Sequence, residues 1–185
     1  MVVSDYCILI TVSGGVSITL SPFLLLLLLL LQGDKVSGAF DANRNFIHMA
    51  SKSKKPAMNE ARSLAQPTLD NIKAAGALKD RGSDFVNHQT AVAEGINAFQ
   101  WIIIAPAPVP LIESFHDAAE FYLNKIRVQF RKKDETQMTF CNQFKALLQA
   151  LQAYVKEHHK TGVEWNPRGG PASAFNANSS ATAPS

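Results

Sequence analysis

The chain has 185 residues, 46% of them hydrophobic and 18% charged, which fits one globular domain with short trimmings and excludes a multidomain enzyme, a collagen-like repeat or a wholly disordered polypeptide. A formal net charge of +3 does not imply nucleic acid, whose binding depends on clustered phosphate contacts. Cys7 and Cys141 stand alone, with no CxxC pattern or Cys/His ladder around them, so neither a disulfide framework nor a structural metal site is encoded.

The first 32 residues form a hydrophobic leader. No charge occurs from Tyr6 to Gly33, and the stretch ends in an unbroken run from Leu24 to Leu31 after Pro22 and Phe23. Its apolar core has the length of a signal-peptide core, and the whole uncharged span is long enough to cross a bilayer. Against a secretory signal, no Lys or Arg precedes the run, and the small-residue exit Val36-Ser37-Gly38 would cut into a helix. A signal or anchor and a mistaken translation start are therefore both kept as readings, and the fold is argued from residue 33 onward.

From there the chain reads as amphipathic helices. Val36, Phe40, Ile47 and Ala50, joined by Ala39 and Phe46, fall on one helical face, and Pro56 closes that helix. Leu64, Thr68, Ile72 and Ala75 mark a second, with Pro67 either kinking it or standing in its first turn. Ser83 is a natural N-cap for a third, whose stripe is Phe85, Val92, Ile96, Phe99 and Ile103, with Gly95 pointing to close packing. The run from Ala105 to Pro110 cannot continue a helix and reads as a rigid connector. Ile112, Phe115, Ala119, Tyr122, Ile126 and Phe130 form the fourth stripe. Asp134 with Gln137 is a capping pair opening the fifth, which carries Phe140, Phe144, Leu147, Leu148, Leu151 and Val155. Residues 168–185, rich in Gly, Pro, Ser, Ala and Asn, read as a disordered tail. The expected fold class is all-α, an antiparallel up-and-down helical bundle over residues 33–167.

Catalytic chemistry is not legible. There is no GxxxxGK[ST], GxGxxG, HExxH or GxSxG, and no spaced set of carboxylates or nucleophile with its base, so no catalytic residue, cofactor or metal is expected. Glu157, His158 and His159 close the last helix, but adjacent histidines point about 100° apart and would not chelate one ion; they suit the negative end of the helix dipole. His88 is expected to bond a neighbouring loop backbone or to meet a partner. Arg127, Arg131, Lys132 and Lys133 cap the fourth helix or bind an acidic surface. Trp101 belongs with the core, and Trp165 is expected to fold back over the bundle end.

The order of several segments is more specific than any composition. Ser83-Asp84-Phe85-Val86-Asn87-His88, Ala91-Val92-Ala93-Glu94 with Trp101, Phe121-Tyr122-Leu123-Asn124-Lys125, and the stretch from Leu151 through His159 to Gly162 with Trp165 resemble the N-terminal helical domain of cyclase-associated proteins. The resemblance spans residues 33 to 167 and implies an antiparallel bundle of about six helices, of which five are recognisable and the first is missing. The coiled coil that precedes the family's domain is replaced here by the leader, and the loss of a helix would leave an apolar stripe open to aggregation, dimerisation or cover by the leader itself. The family's C-terminal functions do not carry over.

The resemblance implies a non-catalytic, cytoplasmic protein of the actin cytoskeleton that engages actin and cofilin-bound actin and promotes filament turnover by differential binding. It also implies possible association with adenylyl cyclase and a homo-oligomer, with no nucleic acid; membrane enters only if the leader is translated and retained. The partner-binding candidates, polar residues of the family-like blocks lying off the apolar stripes, are Arg81, Asn87, His88, Glu94, Asn124, Lys125, Lys156 and His158.

Overall fold

The computed structural model describes residues 22–175; the front of the leader with Cys7, most of the uncharged span, and the tail beyond Phe175 lie outside the described residues. Among the described residues there are six α-helices and no strand: α1 (Pro22–Lys52), α2 (Met58–Leu64), α3 (Gln66–Ala77), α4 (Val86–Gly95), α5 (Val109–Phe130) and α6 (Glu135–His158). One described helix has no counterpart among the five stripes. It is α2, seven residues with none buried, too short and too exposed to show an apolar stripe. Pro67 stands in the first turn of α3, where its missing N–H costs nothing.

α1 extends well beyond the expected helix. It begins at Pro22, so the Leu run and the domain are one continuous helix across residues 32 and 33. Ala39, Phe46 and Ala50 of the expected face are buried, with Asn43 and Met49 beside them, whereas Phe40 remains 49% exposed. Two polar side chains set the register of this helix. Gln32 donates from Nε2 to the carbonyls of Ala75 (2.9 Å) and Gln89 (3.1 Å). Asn43 donates to the carbonyl of Phe99 (3.0 Å) and accepts from the Thr68 hydroxyl (2.8 Å). Buried amide donors need acceptors, so these bonds admit few alternative alignments. They also show α3 running against α1, with α4 running alongside it.

The third expected helix is interrupted. α4 ends at Gly95 and the chain continues as a 3-10 helix, Ile96–Ile103. The Asn97 amide donates to the carbonyls of Ala93 (2.7 Å) and Glu94 (3.2 Å), competing with the α-helical ladder at that point. Gly95 packs as expected: a Cβ there would lie 2.8 Å from the Phe144 ring of α6. Ser83 is not the cap of α4. Its hydroxyl accepts from Phe85 N–H (3.0 Å) in the turn ahead of the helix, and Phe85 holds the cap position without a side-chain bond.

α5 and α6 close the bundle in alternating direction. Ile112, Ala119, Leu123 and Ile126 of α5 are buried against Cys141, Phe144, Leu148 and Val155 of α6 and against the α4 segment. Asp134 caps α6 as expected, accepting from Thr136 N–H (2.9 Å) while Gln137 donates to its other oxygen (3.0 Å). Trp101 is fully buried, and Trp165 folds back with its ring edge-on to Phe46 (5.6 Å). The start of the tail is a correction to the expected disorder. Asn166 donates to Ser53 O (2.9 Å), Gly170 O accepts from Lys54 (2.8 Å), and Phe175 packs on His48 (5.5 Å). No described helix is long and apolar enough to cross a membrane.

Candidate interaction surface on α4 and α5

Three of the eight candidate residues converge. Asn87 of α4 and Asn124 and Lys125 of α5 line one shallow depression with Phe121, Val128 and Gln129. The antiparallel packing of α5 against α4 makes this meeting, because the start of α4 then lies beside the end of α5. Phe121 and Val128 are 58% and 80% exposed. The Lys125 ammonium sits over the rings of Phe121 (4.4 Å) and Tyr122 (5.1 Å), which holds the cation in place at the rim of the apolar patch.

Beside the patch lies a charge network that braces it. Arg127 donates to Glu120 (2.9 Å) and to the side-chain Oδ1 of Asn124 (2.8 Å), and Lys145 of α6 reaches the same Glu120 oxygen (3.0 Å). Burial works against the Glu120 carboxylate, but the bonds from Lys145 and Arg127 outweigh it and hold its pKa below the ordinary value. The arrangement fixes Asn124 and the adjoining turn of α5, so the patch is presented on a rigid element.

The other candidates fall elsewhere. His88 is 1% exposed and cannot meet a partner. Nor does it bond a loop backbone: its Nε2 lies 2.6 Å from Gln137 Oε1, among the rings of Phe85, Phe130 and Phe140. Gln137 spends its NH2 on Asp134, so Oε1 faces His88 as an acceptor and the proton is assigned to Nε2. Burial pushes the His88 pKa down, with the Gln137 bond opposing. This residue ties α4 to the cap of α6. Arg81 is exposed in the turn between α3 and α4, and Glu94 lies 3.9 Å from Lys79. Lys156 and His158 stand at the far end of the bundle, where Gln152 donates to Glu113 (2.8 Å) at the start of α5. His158 packs on Tyr154 (5.1 Å), whose hydroxyl is 3.2 Å from His159 Nε2. Among the described residues no group of three or more His, Cys, Asp or Glu could hold a metal ion.

Sequence reasoning missed Phe121 and Val128, because its contact candidates were restricted to polar residues off the stripes. The signal was available: both fall outside the spacing of Ile112, Ala119 and Ile126, and Phe121 adjoins the Asn124-Lys125 pair.

Comparison with known proteins matches this architecture. The family model for the CAP N-terminal domain covers residues 28–163. Adenylyl cyclase-associated protein 2 of Rattus norvegicus is 36% identical over 146 residues, which is 78% of this chain and 31% of that protein. The adenylyl cyclase-associated protein of Dictyostelium discoideum is 32% identical over 155 residues, 83% of this chain and 33% of its own length. The solved N-terminal domain of the Dictyostelium protein superposes with a TM-score of 0.76 at 29% identity, covering 82% of this chain and 93% of that one. A second crystal structure, of a CAP N-terminal domain described as indicating variable oligomerisation, gives 0.75 at 32% identity over 78% of this chain and 80% of that one. The chain thus spans about a third of the length of these curated relatives, and through residues 28–163 it belongs to the family of the N-terminal domain of adenylyl cyclase-associated proteins.

Proposed function

We propose that this chain is a non-enzymatic actin-binding protein of the cytoplasm that promotes cofilin-dependent filament turnover through its helical domain. The observation carrying the reading is the α4/α5 patch: Phe121 and Val128 exposed on a rigid helix, ringed by Asn87, Asn124 and Lys125. Solvent-exposed aromatic and aliphatic groups within a polar rim are the usual form of an interface centre. The mechanism follows from differential binding. A face that fits the departing subunit better than the filament lowers the barrier to release, with no covalent step.

The test is cosedimentation of the full chain with cofilin-decorated actin filaments at low salt. Phe121→Ala and Lys125→Ala should each weaken binding by about tenfold, the loss expected of an interface anchor. Lys156→Ala, at the far end of the bundle, should leave binding unchanged. Retention of full affinity by both patch variants overturns the reading.

The name of the relatives supports a second reading, association with adenylyl cyclase, and the second solved domain supports a homo-oligomer. A pull-down of cyclase by the full chain and by Phe121→Ala distinguishes a shared surface from a separate one.

A further inference from the structure

Four cations gather at one end of the bundle. α1 closes with Ser51-Lys52, and the chain runs on as Ser53-Lys54-Lys55 before Pro56. The segment after α6 returns to this point. Asn166 donates from its backbone N–H to Ala50 O (3.1 Å) and Ser53 O (2.9 Å) and from Nδ2 to Ser51 O (3.2 Å), while Lys54 N–H donates to Gly170 O (2.8 Å). Gly169 lies against the Lys52 carbonyl, where no side chain would fit. These contacts bring Arg168 alongside Lys52, Lys54 and Lys55, and all four are exposed. None of them makes an ion pair among the described residues, nor do Glu60 and Glu164, the acids nearest in sequence. One cation at the end of α1 complements the helix dipole, but four in one cluster repel one another with no anion to offset them.

Lys55 belongs to a second feature as well. With Pro56, Met58, Ile103, Val163 and Trp165 it lines a hollow of about 80 Å³. Met58 is 72% exposed, and α2, which it opens, buries none of its residues. A helix with its side chains is about 10–12 Å across, so the hollow admits one apolar side chain and not a helix. The pairing of cations with this hollow discriminates among anions. A free phosphate has no apolar group to place there, and a bilayer or a nucleic-acid duplex is too broad to enter. A peptide carrying carboxylates around one aliphatic side chain satisfies both features. The chain itself offers no such segment. Outside the described residues its one acid is Asp5, and its one pair of adjacent acids, Asp134-Glu135, follows Lys132-Lys133 and spends Asp134 as the cap of α6.

We propose that this end of the bundle docks an acidic, extended segment of a partner protein, with its carboxylates on Lys52, Lys54, Lys55 and Arg168 and one aliphatic side chain in the hollow beside Lys55. The surface goes beyond the actin reading and is separate from it in space: Ile103 closes the 3-10 helix that continues α4, whereas Asn87 of the α4/α5 patch stands at the start of α4. Exposed ion pairs are individually weak, so affinity comes from several of them acting together with the apolar contact, and it falls as salt screens the charges.

The probe is a fluorescein-labelled synthetic peptide with four Glu around a single Leu, and its binding to the full chain is followed by fluorescence anisotropy at low salt. Saturable binding is expected, weakened about tenfold in the double variant Lys54→Glu/Lys55→Glu and recovered by that variant when the peptide's Glu residues are changed to Lys. Changing the peptide's Leu to Ser should also weaken binding about tenfold. That comparison needs no variant of the chain, so it decides the matter even where a variant fails to fold. Met58→Asp, at an exposed position, should weaken binding from the side of the hollow, and Phe121→Ala should leave it unchanged. Absence of saturable binding overturns the proposal, and equal affinity for the Leu and Ser peptides overturns it by reducing the cluster to an unselective polyanion site. Tighter binding of phosphatidylserine vesicles or of a DNA duplex than of the peptide, lost in the same double variant, assigns the cluster to another class of ligand and overturns it too. So does a dimer in sedimentation that the double variant splits, since a second copy would then be the occupant.

Discussion

The two sides of α5 differ in how they meet water. Toward the core, Ile112, Ala119, Leu123 and Ile126 have no more than 1% of their surface exposed, whereas on the opposite side Phe121 and Val128 stand in solvent. Both sides carry apolar side chains. The difference lies in what the side chains displace: the inner set leaves water on folding, and the outer set can leave water only on meeting a partner. An apolar residue on this helix is therefore informative for function when it is off the stripe and for stability when it is on it.

The comparison is broken most directly by truncating the inner side. Leu123→Ala removes a fully buried side chain between α4 and α6 and should cost about 2 to 5 kcal/mol in urea denaturation, through lost transfer energy and the cavity left behind. Gly95→Ala attacks the same core by overfilling. The added methyl would meet the Phe144 ring at 2.8 Å and Leu148 Cδ1 at 3.1 Å, and about 1 to 3 kcal/mol should be lost. A small or zero effect from both would mean that the α4/α5/α6 core is loosely packed.

Buried polar ties give intermediate effects. Asn43→Ala takes the donor from Phe99 O and the acceptor from Thr68, each within buried surroundings, so a loss of about 1 to 3 kcal/mol is expected. His88 adds a dependence on pH. Its pKa in the folded chain is lowered, by burial first and against the pull of the Gln137 bond, so the unfolded chain binds a proton more readily than the folded one. Stability is then full above the unfolded histidine pKa of about 6.5 and falls as pH drops from there through the folded value. His159, also lowered by burial and by His158, contributes with the same sign. Denaturation midpoints at pH 7 and pH 5 should show a smaller decline for His88→Gln than for the parent chain. An equal decline would place the acid sensitivity elsewhere.

The helical class and the order of five helices were legible in the sequence, because each long helix carries a 3.6-residue stripe. α2 was not, since seven exposed residues have no stripe to read. Part of the core face of α1 was hidden for a different reason: it includes Gln32 and Asn43, polar residues that periodicity assigns to solvent and that only their partners at Ala75, Gln89, Phe99 and Thr68 explain. The candidate site was half legible. Asn87, Asn124 and Lys125 were chosen as polar residues off the stripes, and helix direction alone brings them together. His88 satisfied the same sequence criterion but is buried, because its partner Gln137 lies on another helix 49 positions away.

The smallest effect on stability is also the one that separates the two sides of α5 most cleanly. Val128 is 80% exposed, and serine is close to valine in helix propensity, so Val128→Ser should shift folding stability by no more than about 0.5 kcal/mol. If the outer side is a recognition surface, the same variant should still weaken cosedimentation with cofilin-decorated filaments, because a polar hydroxyl then replaces an apolar contact that water must vacate. Loss of binding at constant stability assigns Val128 to the interface. Loss of both would show that the outer side shares in the fold, and the distinction between the two sides of the helix would fall.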